Sequence, residues 1–148
     1  MLRSLKPLLL VLFCIALAGC QTYTSGLVQT AARADEAVVL SNLRSIVAAE
    51  SAYNLSNGSY GTFEQLTNGG FLDARFKGER PSLNQYSYTI TIPEKSPDAA
   101  TAASYRCNAD PERTGDRAGR HFYIDSTSNN IHVNLTQSAS AADEILKP

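Results

Sequence analysis

A chain of 148 residues with 13 basic and 14 acidic side chains, formal net charge −1, lacks the clustered Lys and Arg that binding to nucleic acid requires. Its length allows one domain of ordinary size around one core and no comfortable second one. Nucleic acid is therefore not an expected partner.

Arg3 and Lys6 give the chain a positive start, and Leu8 to Ala18 is an unbroken apolar run of eleven residues. That is signal-peptide length, since a membrane-spanning helix needs roughly 18 or more apolar residues. The run closes on Leu17-Ala18-Gly19-Cys20, which resembles a bacterial lipoprotein signal. The resemblance implies cleavage between Gly19 and Cys20, diacylglycerol and an acyl group such as palmitate on Cys20, and attachment to the membrane through that lipid. Each buried CH2 of such chains contributes about 0.8 kcal/mol, so several chains hold firmly. Gln21 after the cysteine resembles lipoproteins sent on to the outer membrane. The organisation expected is a signal peptide over 1–19, a lipidated Cys and short tether over 20–26, and one domain over 27–148.

Without residues 1–19, 129 residues remain, with eleven basic and fourteen acidic side chains and a net charge of −3. Cys14 leaves with the signal and Cys20 carries lipid, so Cys107 has no partner for an internal disulfide. Its alternation with Tyr105 and Ala109 in a strand predicts a buried, inert thiol.

From Leu27 to about Ser56 no Pro or Gly interrupts the chain, and Val39, Leu43, Ile46 and Tyr53 recur at helical spacing with Ala49 between them. A helix of about 29 residues, some 43 Å long, is predicted, its Ala-rich and charged first half solvated and its second half packed. Asn57-Gly58 stops it. Thr62 and Gln65 have capping-box spacing and open a short helix that Asn68-Gly69-Gly70 closes. Phe63, Leu66, Phe71 and Leu72 are its expected core residues, and Lys77 to Asn84 reads as polar loop.

At Gln85 the period changes to two. Tyr86, Tyr88, Ile90 and Ile92 alternate with Ser87, Thr89 and Thr91, predicting a half-buried strand that Pro93 ends. Further strands are expected over Ala103–Asn108, His121–Asp125 and Ile131–Leu135, paired antiparallel because their links are short. The last thirteen residues are polar except Ile145 and Leu146 and carry no prediction beyond folding back or remaining loose. The expected class is α+β, a long N-terminal helix packed on an antiparallel sheet of about four strands.

Several segments in this order resemble the soluble domain of type IV pilins and type II secretion pseudopilins. They are Asn42-Leu43-Arg44-Ser45-Ile46 running to Ala49-Glu50 and Tyr53, Gly58-Ser59-Tyr60-Gly61-Thr62-Phe63 with Leu66, and Gly70-Phe71-Leu72-Asp73. After them come Tyr86-Ser87-Tyr88, Tyr105-Arg106-Cys107-Asn108-Ala109-Asp110-Pro111, and Gly119-Arg120-His121-Phe122-Tyr123-Ile124-Asp125. The resemblance implies a pilin-like module and, as partners, proteins of a pilus or type II secretion apparatus. The retained apolar helix of that family is missing, and a lipid anchor on Cys20 stands in its place.

Residue chemistry points away from catalysis. There is no Gly-x-Ser-x-Gly elbow and no phosphate-cradling loop, and nothing supplies Cys107 with a general base. His121 and His132, read as exposed strand residues, make a poor zinc site without a third nearby His or Cys. Asp110, Glu112 and Asp116 offer hard oxygen donors without EF-hand spacing and read as a solvated acidic turn rather than a calcium site. Glu50 reads as a long carboxylate at the edge of the helix stripe. The function expected is that of a non-enzymatic envelope lipoprotein with a structural or interaction domain, accessory to a pilus or type II secretion apparatus, with no metal, cofactor or catalytic residue. A second expectation is a ligand-binding outer-membrane lipoprotein using Tyr86, Tyr88, Tyr105 and Tyr123.

Overall fold

The computed structural model describes residues 34–93, 103–113 and 119–147. Gly19, Cys20, the tether, the first part of the expected helix and Asp116 lie outside the described residues. Helix α1 occupies 34–57, and its Val39, Leu43, Ile46 and Ala49 stripe is buried to 3% exposure or less. Burying Val, Leu and Ile side chains contributes about 1.5–3 kcal/mol each. That stripe, more than helix propensity, holds the element in place. The helix stops at Gly58, whose φ of 71° suits glycine and whose N–H donates to the Asn54 carbonyl at 2.8 Å. Among the described residues no helix is long and apolar enough to cross a membrane.

Helix α2, Phe63–Asn68, opens with the capping box written in its sequence. The Gln65 N–H donates to Thr62 Oγ1 at 3.3 Å, and the Thr62 N–H donates to Gln65 Oε1 at 2.8 Å. Phe63 and Leu66 face the core. A single 3-10 turn follows at Ala74–Phe76, capped by the Asp73 carboxylate accepting from the Arg75 N–H at 2.9 Å. It inserts Phe76 between Phe63, stacked at 6.1 Å, and Tyr88, edge-on at 5.8 Å.

Six strands form one antiparallel sheet in chain order: β1 Ser82–Leu83, β2 Tyr86–Thr91, β3 Arg106–Pro111, β4 His121–Asp125, β5 His132–Asn134 and β6 Glu144–Ile145. The expectation of a long N-terminal helix on a sheet of about four strands is thereby overturned. The described domain is sheet-dominated, with six strands and one helix of several turns, 34–57. Two short edge strands make the difference. β1 arises because Asn84 and Gln85, at φ 53° and 64°, form a tight hairpin turn with positive φ at both central positions, which turns the presumed loop back on β2. β6 forms because Leu146 donates its N–H to the Ile131 carbonyl at 2.8 Å, drawing the apolar pair of the tail onto β5. β3 also begins later than expected and takes in Pro111, which closes the strand and so loses no interior ladder bond.

The register separates two faces. Tyr88 opposes Ala109, which opposes Phe122; Ile90 opposes Cys107, which opposes Ile124. These residues share the core cluster with the α1 stripe. Polar contact supplements apolar packing there, since Asn42 on α1 donates to the Tyr88 hydroxyl at 3.0 Å and accepts from Arg75 at 2.9 Å. Near the N-terminal end of the described part of α1, Glu36 receives Arg120 through Nε and Nη2, the shortest contact 2.8 Å.

On the opposite face the segment after β5 folds back as a strap. The Asp143 carboxylate accepts from the Ser140 N–H and hydroxyl at 2.7 and 2.8 Å and from Asn134 at 2.7 Å. The hydroxyl of Ser140 and the amide of Asn134 hold this carboxyl below its ordinary range. Asn108 donates to the Ala139 carbonyl at 2.7 Å, and Ala139 is buried.

Candidate functional site

Three places gather chemistry. The first lies on the strapped face, where β3 and β4 bring Asp110 and His121 together with Nδ1 to Oδ1 at 2.7 Å, both side chains about one-fifth exposed. Facing a carboxylate, Nδ1 is the donor of this pair, and Nε2 is the nitrogen left for a second partner. A triad would need a nucleophile on that nitrogen. Ser138 instead donates to the other oxygen of Asp110 at 3.1 Å and accepts from Asn108 at 3.1 Å, so this hydroxyl fastens the strap. His132, diagonal to His121 across the β4–β5 ladder, is buried to 7% and lies 2.8 Å from the Asp143 carbonyl. The reading of both histidines as exposed strand residues is corrected: His132 is buried against the Asp143 carbonyl of the strap, which comes from residues with no predicted structure, and the His121 side chain is about four-fifths covered beside Asp110. Among the described residues no group of three or more His, Cys, Asp or Glu is placed to hold a metal ion. Glu112 is exposed, and the carboxylate of Asp110 is engaged by His121 and Ser138.

The second place is internal. Glu50 is fully buried, which corrects its placement at the edge of the stripe. One oxygen accepts from the Gly61 N–H at 2.9 Å, and the other has no partner within the described residues. Burial pushes this carboxyl up to about 7, against the smaller opposing pull of the Gly61 N–H. The Tyr105 hydroxyl is also buried without a partner; burial first and the charge of Glu50 second raise its pKa. Gly61 is confined beneath the Tyr53 ring and Leu66, which a Cβ would approach to 3.1 and 3.2 Å. Burial likewise pushes the Cys107 thiol far up, with Glu50 and Asp110 adding to the shift. A thiol without thiolate is a poor nucleophile. Iodoacetamide at neutral pH is therefore expected to leave Cys107 unmodified in the folded protein and to modify it fully in denaturant, as peptide mass mapping would show. Rapid labelling of the native protein would contradict this burial.

The third place is an open trough of about 480 Å3 between α1 and the last strand. Leu40, Arg44 and Val47, one helical face at i, i+4 and i+7, form one wall, and Ile145, Leu146 and Lys147 form the other. Ile124 and Ile131 add apolar lining, and Arg120 stands at one side with its charge taken by Glu36. No Asp or Glu lines the trough among the described residues. Arg44, Lys147 and Ile145 are exposed. In the sequence Leu40 and Val47 only widen the helical stripe, and nothing there brings them beside Ile145 and Leu146, the lone apolar pair of a polar tail.

The tyrosines expected to line a ligand site lie elsewhere. Tyr86, Tyr88 and Tyr105 are core residues at 3% exposure or less, and Tyr123 is buried with its ring set edge-on to His132. Compared with models of protein families, with curated proteins and with solved structures, the chain matches none.

Proposed function

We propose that this chain is a lipid-anchored protein of the bacterial envelope that acts by binding, with its sheet domain as the interaction module. The observation that carries the reading is the trough between α1 and β6, an apolar surface left open beside exposed cations, the kind of surface that marks an interaction site. The Leu17-Ala18-Gly19-Cys20 sequence supports the anchor, and the order of segments shared with pilins and pseudopilins supports pilus or type II secretion proteins as partners. Crosslinking the lipidated protein in intact cells tests both parts, with Cys20→Ala as the unanchored control and Val47→Arg to fill the trough. Recovery of pilus or secretion components that both variants lose is the expected result. Recovery that neither variant alters would sink the proposal. A second reading, binding of a small ligand, is favoured by the trough volume, which falls within the range of small-molecule sites.

A further inference from the structure

The chemistry of the trough narrows what it accepts, an inference that rests on the trough being a contact surface. Its cations stand on opposite walls, Arg44 on α1 and Lys147 after β6, and among the described residues neither forms an ion pair. In a chain with slightly more acidic than basic residues, two lining cations outside the Glu36–Arg120 pair and no Asp or Glu among the described lining residues favour a negative group. Apolar contact comes from Leu40, Val47, Ile131 and Leu146, all aliphatic. No aromatic ring lines the trough among the described residues, so a nucleobase finds no stacking platform and a planar ligand none of the ring geometry it favours.

We propose that the trough binds a single acyl chain ending in a carboxylate, with the chain laid against Leu40, Val47, Ile131 and Leu146 and the carboxylate held by Arg44 and Lys147. Burial of CH2 groups supplies most of the affinity. The exposed cations supply the choice of head group.

The test uses the full-length lipidated protein in vesicles, photolabelled above neutral pH with dodecanoic acid carrying a diazirine on its chain, and with the matching dodecylamine. Peptides containing residues 40–47 and 145–147 are expected to carry the carboxylate label and little of the amine label. The double variant Arg44→Glu, Lys147→Glu should lower the carboxylate label there by about tenfold, with an unchanged melting temperature because both side chains are exposed. Equal labelling by the amine, labels spread over the surface, or a double variant that labels like the native protein would each overturn the proposal. Its failure is distinguishable from failure of the envelope-partner reading. Partners lost on Val47→Arg together with no carboxylate labelling would make the trough a protein-docking surface only.

Discussion

The stability advantage of Glu50→Gln over the native protein is expected to grow by about 3 kcal/mol as the pH rises from 4.5 to about 7, and then to level off. Below 4.5 the native carboxyl is protonated in both folded and unfolded chains, and the two proteins differ by a constant. Between 4.5 and about 7 the folded state retains a proton that the unfolded chain has released, so rising pH favours unfolding. Above that range the folded protein carries an uncompensated buried charge, which glutamine avoids while still accepting from the Gly61 N–H. Neighbouring titrating groups do not intrude, since burial keeps the Tyr105 hydroxyl and the Cys107 thiol neutral across the window. Urea unfolding of both proteins at a series of pH values gives the difference directly. A difference that does not change with pH would show that Glu50 is solvated.

Phe76→Ala is expected to cost about 3–5 kcal/mol, the range for deleting a buried phenylalanine ring and leaving a cavity. Phe76 is fully buried and is the middle of three aromatic rings running from the connector to the sheet, Phe63 to Phe76 to Tyr88. Its removal also loosens Tyr88, whose hydroxyl is bonded to Asn42, and Arg75, which lies 5.2 Å from the Phe76 ring. Chemical denaturation should show a lower midpoint with an unchanged slope. Phe76→Leu restores much of the volume and should recover a large part of the loss. A change below about 1 kcal/mol, the size ordinary for a surface substitution or less, would mean that the connector is held by other contacts.

Features that sequence reveals are those written in neighbouring residues. The α1 stripe and the Thr62–Gln65 box need only residues three or four apart, and the alternation from Tyr86 to Ile92 needs only the period of a strand. What failed depends on distant parts of the chain. β1 was hidden because its turn uses Asn84-Gln85, where the usual signal is a glycine after the asparagine. Phe76 stands alone among charged and polar residues, with no period to mark it as core. Glu50 looks like an ordinary helix carboxylate until Gly61, eleven residues later, is folded over it. The trough is harder still, since Arg44 and Lys147 come from opposite ends of the domain. The strap against His132 is built from Ser138, Ala139, Ser140 and Asp143, a composition that reads as unstructured tail.

The Glu36–Arg120 contact also determines how the domain would carry mechanical load. Glu36 lies close to the N-terminal end of the described part of α1. Its carboxylate is joined to Arg120 by three side-chain contacts of 2.8 to 3.2 Å and accepts from the Arg120 N–H as well. Arg120 immediately precedes β4, an interior strand paired on both sides. A pull along α1 toward its N-terminal side would therefore load this contact as well as the helix, and pass part of the tension into the sheet.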